Sequence, residues 1–366
     1  MGAAESLAAW LRLTLIPGIG GKTQRKLLEA FGPPEAIFAA GRATIAGVIG
    51  SQAANLLLDT DNRAVIARAL AWSAAPGQQL LTLADAEYPQ ALLQIADPPT
   101  LLYVRGRLDL LNEPALAVVG SRNPTPQGLN NAERFAAALA EAGLTIASGL
   151  ALGIDAAAHR GALRTSSNTV AFIGTGIDRL YPAANQQLAL DISARGAIVS
   201  EFPLGVPPAA ANFPRRNRLI SGFSHGTLVV EASVDSGSLI TARLAAEQGR
   251  EVFAIPGSIH SPHSRGCHKL IKDGAKLVET VQDVLDELSC PLRPLLSAAT
   301  PAQPGDARPQ DNGLLPAMGF DPCSLDELVQ RSGLTADVVS VMLLHLELDG
   351  QVATLPGGRY QRISQA

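Results

Sequence analysis

Three arginines gather in Phe213-Pro214-Arg215-Arg216-Asn217-Arg218, and between Glu201 and Glu231 there is no acidic residue and no other formal charge. Guanidinium groups match phosphate geometry and an aromatic face can stack on a base, so this grouping suits a polyanion that carries bases. The chain has a formal charge of −4, so the patch is local and not a by-product of general basicity. Pro214 can occupy the first position of a helix, and a helix over Arg215 to Phe223 puts Leu219, Ile220 and Phe223 on one apolar face. Arg216 falls on that face, while Asn217 and Arg218 point away. Arg216 is therefore either a structural ion-pair partner of Glu201, Glu231 or Asp155, or a phosphate contact on a pocket floor. Arg218 is expected to touch phosphate directly and Asn217 to hydrogen-bond a base or sugar. Phe213 is the stacking candidate, with burial as the alternative fate.

Glycine-rich turns form a second constellation: Gly120-Ser121-Arg122, Ser148-Gly149, Gly174-Thr175-Gly176 and Ser236-Gly237-Ser238. Each can offer backbone amides and small hydroxyls to an anion at a positive helix end. A parallel sheet also needs glycine at such corners for packing alone. Four on one sheet edge, with Arg122 in the first, favour an anionic ligand. The G-x-G-x-x-G fingerprint and the G-x-x-x-x-G-K-[ST] loop are both missing, so neither a dinucleotide cofactor nor a P-loop triphosphatase is expected. Asp155 and His159, four apart on a helix near Ser148, could form an acid–base pair, but no G-x-S-x-G elbow surrounds the serine. Bracing of a helix is the preferred reading, and no catalytic residue is assigned. His260, His263, Cys267 and His268 fit no structural zinc spacing, so no metal site is expected there.

These residues need a scaffold. Short apolar runs at Ala115 to Val119, Leu144 to Ala147, Thr169 to Ile173, Ala197 to Val199, Thr227 to Val230 and Glu251 to Ile255 alternate with helical patterns, such as Gln127 to Ala142. Strand, glycine turn and helix in repetition predict an α/β fold with a doubly wound, mostly parallel sheet. Ligands of such sheets sit at the carboxyl ends of the strands, where the glycine turns fall. A chain of 366 residues implies more than one domain. Residues 1–78 read as a small helical domain with a helix-hairpin-helix-like Ile16-Pro17-Gly18-Ile19-Gly20-Gly21-Lys22 between helices Glu5 to Leu13 and Lys22 to Phe31. That turn is either a phosphate contact or a tight structural connection. Residues 79–290 form the sheet domain and 291–312 a proline-rich linker. Residues 313–366 read as a winged-helix-like module: helices Ser324 to Ser332 and Thr335 to Leu348, then a hairpin. Six carboxylates against three arginines from Gly313 onward suit protein contact or regulation better than a grip on duplex DNA. Hydrophobic residues make up 47% of the chain and charged residues 17%, which describes a packed globular protein. No apolar run spans a bilayer and no signal peptide is visible. Three scattered cysteines argue against a disulfide framework. A cytoplasmic protein is expected.

Taken together, the motifs resemble the DNA-processing protein A family, also called Smf. The matching segments include Gly120-Ser121-Arg122, Ser148 to Asp155 with His159, Ile173 to Asp178 with Tyr181-Pro182 and Asn185, and Phe213 to Ile220. Val230-Glu231-Ala232, Ser236 to Ala242, Gly249 to Gly257 and Gly266 to Ile271 complete the set. The resemblance implies an extended Rossmann-like domain that binds single-stranded DNA. It places Arg122, Ser148, Gly149, Phe213, Arg216, Asn217, Arg218 and Ser238 in or near the pocket, with Gly120, Ser121 and Gly237 in the flanking turns. It also implies a homodimer, contact with a RecA-type recombinase, and loading of that recombinase onto incoming DNA during natural transformation. One departure is visible: Ala183, Gln186, Gln187 and Ala211 stand where some relatives carry lysines, so binding would lean more on Arg179, Arg250, Lys269 and Lys272. The expectation is a non-enzymatic DNA-binding protein without membrane contact. The alternatives are an enzyme acting on a nucleotide or sugar phosphate at the same edge, and an adaptor with a vestigial anion pocket.

Overall fold

The computed structural model describes residues 3–165, 168–288 and 314–363. The proline-rich stretch 291–312 and Cys290 lie outside the described residues. Nine strands make one sheet: β1 (Gln78–Thr82), β2 (Leu101–Gly106), β3 (Ala115–Val119), β4 (Thr145–Ser148), β5 (Thr169–Phe172), β6 (Ala197–Ser200), β7 (Gly226–Val229), β8 (Glu251–Ala254) and β9 (Lys276–Leu277). Their order is β1-β2-β6-β5-β4-β3-β7-β8-β9. From β6 to β9 every pairing is parallel, while β1 and β2 are antiparallel additions beside β6.

The sequence explains why the centre is parallel. Every residue of β3 to β7 is buried, as in a sheet covered on both faces. On one side pack helices Pro126–Glu141 and Ile154–Arg164; their alanines, Ala132, Ala136, Ala157 and Ala158, let helix and sheet approach closely. On the other, Leu219, Ile220 and Phe223 of helix Asn212–Phe223 meet Phe172 and Val119. This helix starts before Pro214, so the proline sits within the first turn, where no intrahelical donor is required.

From β3 the chain winds to β4, β5 and β6 on one side, then returns to place β7 and β8 on the other. The order therefore reverses between β3 and β7, which opens a crevice beyond their carboxyl ends.

Residues 3–73 form six helices, with Leu13, Ile16, Leu27 and Ile37 at their centre. The two helices flanking the glycine turn run Ala3–Thr14 and Gly21–Phe31. Trp10, Leu11 and Ala69 also join the core beside β2, so these helices pack on the sheet's antiparallel edge.

Residues 314–363 build a winged helix from helices Leu314–Met318, Leu325–Ser332 and Ala336–Leu348 and the strands β10 (Cys323–Ser324), β11 (Val352–Leu355) and β12 (Arg359–Arg362). Ser324 and Glu327 close a reciprocal cap on the second helix: Glu327 N donates to Ser324 Oγ at 3.2 Å, and Ser324 N to Glu327 Oε2 at 2.7 Å. Gln361 of the wing accepts from Gln127 N at 3.5 Å, tying this unit to the sheet domain. None of the described helices is long and apolar enough to cross a membrane.

Candidate nucleic-acid interface

The switch-point crevice has a volume of about 700 Å³. One wall is the turn after β3, the opposite wall is Ser236-Gly237-Ser238 at the start of helix Ser238–Glu247, and Phe213, Arg216 and Asn217 close the bottom. Gly120, Ser121, Arg122, Phe213, Arg216, Asn217, Gly237 and Ser238 all line it.

Arg122 is exposed on the turn, and its guanidinium carbon stands 5.6 Å from the centre of the half-buried Phe213 ring. Tyr181 lies against the same ring at 5.9 Å between centres and is 47% exposed. A cation and two partly exposed rings thus share one edge. Opposite them, Ser238 Oγ and Ser236 Oγ are 2.7 Å apart and open space surrounds the Gly237 α-carbon. The start of the Ser238–Glu247 helix adds a positive dipole end.

The turns after β4 and β5 serve a different purpose. Gly149 N donates to Asp155 Oδ2 at 3.1 Å, and Ser148 Oγ donates to Val118 O at 2.7 Å. Neither group is left for a ligand. A β-carbon on Gly149 would fall 2.5 Å from Arg216 Nη1, and one on Gly174 would fall 3.0 Å from the Phe213 ring. These two glycines create the room in which Arg216 and Phe213 sit. Glycine supplies space here, and the side chains it admits line the crevice.

Arg216 is 4% exposed. Its Nη1 donates to Gly149 O and Phe172 O, both at 2.5 Å, and its Nε donates to Asn217 Oδ1 at 3.2 Å. Burial lowers its pKa to about 10, with the buried Asp155 opposing the shift, so it stays charged near neutrality. Of the three carboxylates expected as partners, Glu231 is taken by Thr125, whose N and Oγ1 donate to it at 2.9 and 2.6 Å. Glu201 belongs to Arg218, and among the described residues no carboxylate bridges Arg216 directly. Arg216 is a buried cation in the crevice floor, held by carbonyls and offset by Asp155.

Arg218 lies elsewhere. On the opposite side of its helix it bonds Glu201 Oε2 and the Asp97 carbonyl, with its side chain 14% exposed. It faces the helical N-terminal region, not the crevice. The helical wheel separates it correctly from Arg216, but Glu201 and Asp97 occupy the side that would otherwise be solvent. Arg250 is also turned away, donating to Gln94 Oε1 at 2.9 Å near the amino end of β8.

Asp155 and His159 do not form an acid–base pair with Ser148. His159 Nδ1 meets Thr169 Oγ1 at 2.7 Å, and because that hydroxyl donates to Ile146 O, the ring nitrogen is the donor. Burial pulls His159 down to about 3, so it is neutral and structural. Cys267 turns into the core toward Val229 O, whereas His268 contacts Gly257 O, so the histidines and cysteine of that segment do not converge. Tyr181, Asn123 and Thr241 join the crevice, although the sequence pattern does not single them out as contacts. Only Tyr181 carries a usable signal: it follows the turn after β5 by a few residues and must emerge at the same sheet edge.

Comparison with known proteins agrees with this architecture. Residues 79–289 match the family model described as DNA recombination-mediator protein A, and residues 297–358 match the DprA winged helix domain. Protein Smf of Escherichia coli is 44% identical over 310 residues, covering 83% of this chain and 82% of its own. The X-ray structure of DNA processing protein A from Streptococcus pneumoniae superposes with a TM-score of 0.69 at 38% identity, covering 79% of this chain and 99% of that one. A structure of the Helicobacter pylori protein, concerned with its single-stranded DNA binding mode, gives a TM-score of 0.52 at 32% identity over 57% of this chain and 94% of that one. The chain belongs to the DNA recombination-mediator protein A family.

Proposed function

We propose that this protein binds single-stranded DNA in the switch-point crevice, protects it, and loads a RecA-type recombinase onto it during natural transformation. The observation that carries the reading is Arg122 standing over the half-buried Phe213 ring beside an open helix start. That arrangement offers a phosphate contact and a stacking surface within one nucleotide's reach. Family membership and the single-stranded DNA binding of the Helicobacter pylori protein support the same ligand. No base-reading group is needed for such binding, so it is sequence-tolerant and salt-sensitive.

In this reading the protein works without catalysis, as a cytoplasmic homodimer joined through its sheet domain. Residues 1–78 are a helical accessory domain, 79–290 the DNA-binding domain, 291–312 a linker and 313–366 the winged helix. Titration of labelled oligo-dT and of mononucleotides at two salt concentrations tests it. Salt-dependent binding of the oligonucleotide with little binding of mononucleotides is the expected outcome. Preference for a mononucleotide would instead favour an enzyme of nucleotide chemistry, and binding of neither would leave an adaptor with a vestigial pocket.

A further inference from the structure

The loop after β3 serves two spaces. Ser121 to Asn123 line the crevice, and Asn123 to Thr125 line a second cavity of about 590 Å³ between the sheet domain and the winged helix. The loop after β8 supplies another wall of that cavity through His260 and His263. Ala232 N, just past β7, donates to His263 O at 2.8 Å, which fixes this wall beside the crevice. Strands β3, β7 and β8 are neighbours, so the two spaces follow one another along one carboxyl edge of the sheet. Asn123 lines both.

The winged helix closes the cavity with Arg331, from the last turn of helix Leu325–Ser332, and Arg359, from the start of β12. Both are exposed, and among the described residues neither forms a salt bridge. The module is acidic as a whole, yet its charges are sorted. Two of its three arginines line the cavity, against Asp321 and Glu327 out of six carboxylates. Glu327 is committed to the helix start, where it accepts from Ser324 N and meets the positive end of the helix dipole. Two guanidinium groups without carboxylate bridges at one cavity suit phosphates. Pro124, Pro262 and Leu355 add apolar surface, and the exposed His260 adds a flat ring on which a base can stack.

We propose that the bound strand leaves the crevice over Asn123 and continues into the inter-domain cavity, where Arg331 and Arg359 hold its phosphates. The winged helix is then the second part of one single-strand path. Phosphate contacts carry no sequence information, so this part lengthens the site without adding base preference.

This inference rests on the crevice binding single-stranded DNA, and a short strand reports on that separately. The test measures the salt dependence of binding for two oligo-dT lengths, about four and about sixteen nucleotides, the ends of the usual range of single-strand site sizes. The full chain is compared with an Arg331→Gln, Arg359→Gln variant whose fold a thermal melt checks. The short strand is expected to bind both proteins alike, with the same slope of log K against log salt. On the long strand the variant's slope is expected to fall by about 1.4, the value for two phosphate contacts. If the double variant melts early, each single substitution is tested, with a fall of about 0.7 expected from either. An unchanged slope on the long strand overturns the inference and leaves the cavity to water or to a protein partner. Equal falls on both lengths also overturn it, because the arginines would then act through the chain's overall charge. Failure of the parent to bind either length overturns the crevice reading itself, and this inference with it.

Discussion

The Arg216 guanidinium lies in the space left by the missing side chain of Gly149, with Nη1 2.5 Å from the Gly149 carbonyl oxygen. A buried cation and a glycine far from it in sequence therefore define one position, and the crevice floor depends on both. Gly149→Ala places a methyl group into the guanidinium. The floor must then shift, and the expected cost is about 1–3 kcal/mol, typical of overpacking. Chemical denaturation of the variant measures it directly. A variant as stable as the parent would show that Arg216 has room to move.

Arg218 answers to a different measurement. Its partner Glu201 is 6% exposed, so Arg218→Ala leaves a buried carboxylate with only the longer, 3.8 Å contact from the exposed Arg215. Loss of one member of a buried pair costs about 3 kcal/mol or more. The same substitution is expected to leave the salt dependence of oligo-dT binding unchanged, because Arg218 does not line the crevice. Denaturation and a salt titration on one variant check both halves. A flattened salt slope would return Arg218 to the phosphate path.

His159 gives a pH signature. Its folded pKa is held at about 3 by burial, below the unfolded value of about 6.5. As pH falls through 6.5 the unfolded chain takes up a proton that the folded chain refuses, so stability declines toward acid. Between pH 7 and pH 5 this site alone removes about 2 kcal/mol. Asp155 has the opposite sign: its pKa is raised by burial, so its contribution grows as pH falls. Comparing urea midpoints of the parent and His159→Asn at both pH values cancels the shared terms. The variant, which retains a donor for Thr169 Oγ1, is expected to lose about 2 kcal/mol less on acidification.

The sheet's interior is legible in the sequence because buried parallel strands are continuous apolar runs. Ala115–Val119 is the strand the sequence predicts, and β4 to β8 fall within a residue or so of theirs. β1 and β2 are not legible in this way. Gln78 and Gln79 carry no apolar signal, and the antiparallel pairing of Tyr103 with Ser200 is decided by chain segments nearly a hundred residues apart. The site divides in the same way. Helical periodicity places Arg216 inward and Arg218 on another face, which is local information. What waits on that other face, Asp97 from a loop and Glu201 from the end of β6, is not. The turn glycines are also only half legible. Sequence shows that the chain bends there, but not that Gly149 and Gly174 make room for side chains instead of offering amides to an anion.

Arg122 and Phe213 are expected to hold a single strand together, one through phosphate and the other through a base. Oligo-dT affinity measured across a range of salt concentrations, for the parent, Arg122→Ala and Phe213→Ala, separates the two contributions. Arg122→Ala is expected to weaken binding and to reduce the slope of log K against log salt by about 0.7, the value for one phosphate contact on a single strand. Phe213→Ala is expected to cost about 1–3 kcal/mol with the slope unchanged, as for a lost stacking partner. Full affinity and an unaltered slope in both folded variants would show that the strand does not bind at this pair.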